Sequence, residues 1–196
     1  YKFNNTLIKE WKGEDLNQKK ILILSEQGLG DIIHFSRYIF ALKKKYSVEI
    51  VFQTKNKIVH LYKDCNFKVV DENYDVNNAD YYQYLMSLPG IFLELFNKFE
   101  PNFNFINPDQ KLVNIWKKKL DTLKGYKIGL CWQGDPNYGR DFMRSIPLSN
   151  FEKLFSFSNV NFISFVKGYG SEQIKNFGYS ERIFDITNKI DNGKNA

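Results

Sequence analysis

Cysteine, histidine and arginine are scarce in this 196-residue chain, and long apolar runs are missing. Its two cysteines, Cys65 and Cys131, lie far apart without CxxC or Cys/His spacing, which argues against a zinc site and a disulfide framework. A reducing compartment suits that usage. His34 and His60 are the only histidines, so a multi-histidine metal centre is excluded. One of the two longest uncharged segments, 81–93, is interrupted by Gln83, Pro89 and Gly90 and is too short to cross a bilayer. No transmembrane segment is therefore expected.

Hydrophobic residues make up 43% of the chain and aromatics 17%, enough for one large core or two small ones. The net charge of +6 resembles a nucleic-acid signal. It is better explained by composition, because Lys, Asn, Ile, Phe and Tyr are abundant together, as an A/T-rich genome produces. The lysine runs at 43–45 and 117–119 fall near expected helix ends, where they complement the dipole. No nucleic-acid partner is expected. Of the four arginines (Arg37, Arg140, Arg144 and Arg182), two share one loop. Starting at Tyr1 and stopping at Ala196, the chain is expected to be a fragment of a longer protein.

Strand and helix signals alternate throughout. Apolar or β-branched runs predict strands at 20–25, 48–52, 67–70, 81–85, 126–132, 161–165 and 182–185. Helical spacing predicts helices at 29–45, 55–63, 90–99, 109–123, 148–157 and 171–177, with Ser87 as a candidate N-cap for the third. Residues 101–108 read as a connecting segment. The strand–loop–helix pattern restarts near residue 126, so the expected fold is α/β, with two Rossmann-like domains. The first covers 1–125 including a linker helix, and the second, 126–196, is incomplete.

Two loops carry candidate chemistry. Ile21-Leu-Ile-Leu24 runs into Ser25-Glu-Gln-Gly-Leu-Gly-Asp31, a buried strand, a glycine turn and a helix start. The fingerprint G-x-G-x-x-G fails here. Ile33 replaces the third glycine, and the second strand ends Phe52-Gln53-Thr54 without a ribose-binding acid. No Gly-Lys-Ser/Thr follows, which excludes a P-loop. Asp31 would repel a pyrophosphate at the helix amides, although the dipole favours the carboxylate by about 0.3–1 kcal/mol. From spacing alone Asp31 is either an ordinary acidic residue of a helix N-terminus or a base for a neutral hydroxyl.

The second loop runs from Trp132-Gln-Gly134 through Arg140-Asp-Phe-Met-Arg144-Ser145 to Pro147. Arg140 and Arg144 are either solvated loop charges or phosphate ligands.

Trp11-Lys-Gly-Glu-Asp-Leu16, Lys20-Ile-Leu-Ile-Leu-Ser-Glu-Gln-Gly-Leu-Gly-Asp31, Phe35-Ser-Arg-Tyr38, Ser87-Leu-Pro89, Ile128-Gly-Leu-Cys-Trp-Gln-Gly134 and Arg144-Ser-Ile-Pro-Leu148 occur in order. Together they resemble the glycosyltransferase region that follows tetratricopeptide repeats in many bacterial proteins. That region is similar to the heptosyltransferase-like group, glycosyltransferase family 9, with its two-domain GT-B fold.

The resemblance implies an inverting, metal-independent transferase with no cofactor. It would use a nucleotide-diphosphate sugar as donor and a glycan, lipid-linked or protein acceptor. It also implies tetratricopeptide repeats in the parent chain and a cytoplasmic location, at most peripheral to the inner membrane. By the same resemblance Asp31 is the catalytic base, and Glu26, Gln27, Gly28, Gly30 and His34 form the acceptor-side loop. Trp132, Gln133, Gly134, Arg140, Arg144 and Ser145 line the donor side, Arg144 neutralising phosphate.

Two departures stand out. The family's Asp-Thr-x-x-x-His donor motif is absent, so this fragment is expected to be inactive alone. Val166-Lys167-Gly168 follows the strand at 161–165, where Gln is usual. The alternatives are a non-catalytic scaffold derived from a transferase and, weakened by the failed fingerprint, a nucleotide-dependent oxidoreductase.

Overall fold

Ile21, Leu22 and Ile23 are completely buried and Leu24 nearly so, apolar on both faces as a central parallel strand requires. They belong to a computed structural model that describes residues 7–75, 78–91 and 106–187. Two compact units compose it, Tyr1–Pro108 and Asp109–Ala196. The first holds strands β1 (Lys9–Glu10), β2 (Lys20–Leu24), β3 (Glu49–Thr54), β4 (Lys68–Asp71) and β5 (Tyr81–Tyr84). Its helices are α1 (Leu29–Lys45), α2 (Asn56–Val59) and α3 (Leu88–Ile91).

The five strands form one sheet in the order β1-β5-β2-β3-β4, and every pairing is parallel. Side-chain alternation divides the first unit's apolar residues between the sheet's two faces. Ile21, Ile23, Ile50 and Phe52 join Ile32, Ile39 and Leu42 of α1 in the main core, while Leu22, Leu24, Val51 and Val70 form a smaller cluster. Lys43, Lys44 and Lys45 occupy the last turn of α1, where cations suit the carbonyl end of the dipole.

β1 was not expected from the sequence. Its two residues are exposed and carry no pattern; the strand exists because Lys9 and Glu10 pair with Tyr81 and Tyr82. Trp11 then anchors it. The Trp11 amide donates to the Tyr82 carbonyl at 2.9 Å, and the buried Gln83 Nε2 donates to the Trp11 carbonyl at 2.7 Å.

A 3₁₀ turn, Leu85–Ser87, leaves β5 directly and runs into α3, so Ser87 stands immediately before that helix, with Leu85 and Leu88 both fully buried. Most of the helix expected at 90–99, and part of the connecting segment at 101–108, lie outside the described residues.

The second unit begins before residue 126, so the helix α4 (Gln110–Leu120) joins it rather than the first. Asp109 caps α4 by accepting from the Lys111 amide at 2.8 Å. Strands β6 (Tyr126–Leu130), β7 (Val160–Ser164) and β8 (Ile183–Asp185) make a parallel sheet in the order β6-β7-β8. Leu130, Trp132, Leu148, Phe155, Phe162, Val166 and Ile183 form its core. Both expected helices after β6 are 3₁₀ helices, Leu148–Ser156 and Ser171–Asn176. Both units are thus α/β with parallel sheets, consistent with Rossmann-like architecture.

Candidate functional site

The strand order places the first loop. The chain passes from β2 through α1, β3 and α2 to β4 on one side, then returns to β5 on the other side of β2. The residues that follow β2 and β5 therefore meet at the carboxyl ends of the strands, the edge where ligands bind in open α/β sheets, and Leu85 and Leu88 after β5 pack in one core with Ile32 and Ile39 of α1.

Glu26 lies at that reversal, two residues beyond β2. The Met86 amide, beyond β5, donates to its carboxylate. Its Oε2 is buried without a hydrogen-bond partner. Burial pushes the Glu26 carboxyl above the ordinary carboxylate range, while the Met86 hydrogen bond pulls the other way. Thr54 Oγ1, at the end of β3, is also buried and unpartnered.

Gln27 holds a left-handed backbone with φ of 66°, uncommon for a residue with a Cβ. Lys55 Nζ secures it by donating to the Gln27 carbonyl at 2.7 Å. Gly28 is the N-cap of α1, and its amide donates to Asp31 Oδ2 at 3.1 Å. Asp31 therefore has a local capping task, yet it is exposed and its other oxygen is uncommitted among the described residues. A Cβ on Gly30 would meet open space. His34 lies one turn along on the exposed side of α1, its Nδ1 3.0 Å from an Arg37 terminal nitrogen. That contact suits the neutral tautomer with the proton on Nε2.

In the second unit Trp132 is buried and its indole donates to the Gly170 carbonyl at 3.0 Å. Gly170 has φ of 92°, and a Cβ there would fall 2.6 Å from Gln133 Cγ. Asp141 is the centre of the loop. It accepts from Gln133 Nε2 at 2.6 Å, Ser145 Oγ at 2.8 Å and Arg144 Nε at 3.1 Å. Burial alone would raise its carboxyl. The bonds from Ser145, Arg144 and Gln133, with the Arg144 charge, outweigh that and hold it below the ordinary value.

The Gly134 amide donates to Ser145 Oγ at 2.9 Å. A Cβ on Gly134 would come within 2.5 Å of Asp141 Oδ1, so this close approach requires glycine. Arg144 is thus oriented rather than loose. Its Nε is paired with Asp141, and its guanidinium carbon lies 4.7 Å from the Tyr138 ring centroid. Arg140 is exposed; its carbonyl accepts from the Met143 amide at 3.0 Å, and its side chain makes no hydrogen bond or ion pair among the described residues. Val166, where the resemblance leads one to expect Gln, is buried in the unit's core.

In the first loop Gly28 and Asp31 are joined directly, and in the second Gln133, Gly134, Arg144 and Ser145 meet around Asp141, while His34 and the Arg140 side chain stand apart. Lys55, Asp141 and Gly170 were missed. Asp141 left a faint signal, an acid three positions before Arg144 in a loop; Lys55 left none, being distant in sequence from the carbonyl it holds. Among the described residues no three His, Cys, Asp or Glu side chains gather as a metal site. No helix among them is long and apolar enough to cross a membrane.

No protein-family profile matches the chain. No solved structure matches it either. Protein FlbA of Caulobacter vibrioides (strain ATCC 19089 / CIP 103742 / CB 15) is 24% identical over 185 residues, covering 84% of this chain and 31% of FlbA. The chain thus spans less than a third of that relative's length.

Proposed function

We propose that this chain is part of an inverting, metal-independent glycosyltransferase of GT-B type that moves a sugar from a nucleoside-diphosphate donor to an acceptor hydroxyl. The observation that carries it is Asp31, an exposed carboxylate at the start of α1 on the carboxyl edge of a parallel sheet. There it repels phosphate and accepts protons.

Asp31 takes the proton of the acceptor hydroxyl. The oxygen attacks the anomeric carbon, the bond to the diphosphate breaks, and its electron pair leaves with the nucleoside diphosphate. In the second unit, Arg140 and Arg144 are cations of the kind that stabilise phosphate charge. The exposed edge of the Arg144 guanidinium, fixed by Asp141 and Tyr138, suits phosphate oxygens.

In the full-length protein, Asp31→Asn should abolish transfer while calorimetry with nucleoside diphosphates still gives near-normal donor affinity. An active Asn variant removes Asp31 from the mechanism. Failure of every nucleoside diphosphate to bind sinks the transferase.

A non-catalytic binding module is the alternative. It is favoured by the capping bond between Asp31 and the Gly28 amide and by the commitment of Arg144 to Asp141. Donor binding without transfer by the unsubstituted full-length protein would select it.

A further inference from the structure

One face of α4 carries a pattern that neither core explains. Val113, Trp116 and Leu120 are half-buried at helical spacing and form the helix's inward row. Leu112 and Ile115, on another face, are 50% and 48% exposed. No residue of α4 is fully buried, and none joins the buried clusters of either unit.

Ile115 is the centre of the outward face. Its neighbours three and four positions away are Lys111, Leu112, Lys118 and Lys119, all of them exposed. An aliphatic pair is thus ringed by three ammonium groups. The helix dipole accounts for cations in the last turn, but it disfavours Lys111 in the first and does not reach Lys124 or Lys127. Residues 109–127 contain six lysines against two aspartates. None of those lysines is in an ion pair among the described residues. Lys119 lies over the Trp116 ring, its Nζ 4.7 Å from the centroid.

Uncompensated positive charge selects an anionic partner, and the aliphatic centre selects among anionic partners. A nucleic acid rewards aromatic platforms and arginine forks. This face offers neither, since Trp116 belongs to the inward row. A bilayer surface rewards both parts of the pattern. Leu112 and Ile115 can enter the boundary between headgroups and acyl chains, while the lysine stems lie along them and lift their ammonium groups to the lipid phosphates.

We propose that the outward face of α4, centred on Ile115, docks on an anionic lipid bilayer. The helix lies in the interface plane and does not cross it, and Lys124 and Lys127 add charge just beyond its end. This assignment is independent of the transferase reading.

The test is flotation of the full-length protein with large vesicles. One set is pure phosphatidylcholine, and the other is an equimolar mixture of phosphatidylcholine and phosphatidylglycerol. Binding should require phosphatidylglycerol and weaken as salt screens the charge. Changing Lys111, Lys118 and Lys119 together to glutamine should lower vesicle affinity by about tenfold or more, since each lysine near an anionic surface is worth about fivefold. Ile115→Gln should lower it by about threefold or more through loss of the inserted side chain. Glutamine is a good helix former and the positions are exposed, so circular dichroism and thermal midpoints should match the parent.

No binding to the phosphatidylglycerol vesicles, equal binding to pure phosphatidylcholine, or unchanged affinity in either variant would each overturn the proposal. Tighter binding to soluble polyglutamate or polyuridylate than to vesicles would assign the face to a protein or nucleic-acid partner instead. Lysine acylation of the vesicle-free protein tests the remaining occupants. Rapid labelling of Lys111 and Lys118 is expected, whereas protection by the rest of the protein or by a second copy would also overturn the assignment.

Discussion

Cys65 and Cys131 differ in what surrounds them, and that difference is measurable. Cys65 is half-buried among Tyr62 and its neighbours. Burial first, and the adjacent Asp64 charge second, push its thiol up to about 11. Cys131 is exposed, with only a long contact from its Sγ to the Gln133 carbonyl. Because the thiolate is the nucleophile, iodoacetamide at about pH 8 should alkylate Cys131 well before Cys65. Intact-mass spectrometry with peptide mapping would read this, and equal rates at both sites would show that Cys65 is not protected. At this scale the sequence exposed identities but not partners. Asp31 and Arg144 could be singled out by residue type and place. That one caps the Gly28 amide and the other pairs with Asp141 depends on side-chain geometry, which spacing does not carry.

Among elements, the loop after β6 is the more informative. Asp141 gathers Gln133, Ser145 and Arg144, and its depressed carboxyl makes the loop acid-sensitive. The sign follows from linkage: a group that titrates lower in the fold contributes stability above its unfolded value. That contribution disappears as pH falls through the folded value. The second unit should therefore weaken as pH drops below the ordinary 3.8. In Asp141→Asn, urea midpoints measured from neutrality down through that range should be lower near neutrality and flatter with pH. A variant as acid-sensitive as the parent would remove Asp141 from the effect.

The following 3₁₀ helix, Leu148–Ser156, is long for its kind, and Arg182 explains part of its persistence. The Arg182 guanidinium donates to the carbonyls of Phe155, Phe157 and Val160 at and beyond the helix end. Apolar spacing located this helix in the sequence; the tighter winding was invisible there, because it depends on a cation supplied from just before β8. The two-residue β1 was invisible for a similar reason, since its pairing with β5 and not its own composition makes it a strand.

In the whole molecule the two sheets are unequally protected. β2 lies between β3 and β5 with Ile21, Leu22 and Ile23 completely buried. β6 is an edge strand whose Tyr126 and Ile128 are 73% and 41% exposed. Amide exchange followed by NMR or mass spectrometry should be slowest in β2 and β3 and markedly faster in β6. Protection of β6 equal to that of β2 would contradict the burial pattern.

The sequence by itself determined the alternation of strands and helices, the parallel character of both sheets and the two loops that leave β2 and β6. Those follow from side-chain periodicity and from where glycine and proline interrupt it, which are local properties. Only the tertiary structure decided that β5 returns beside β2, that Glu26 therefore sits at a reversal with one oxygen unsatisfied, and that Lys55 and Asp141 hold the two loops. Strand order and hydrogen-bond satisfaction depend on residues brought together from distant positions, and no local pattern encodes that meeting.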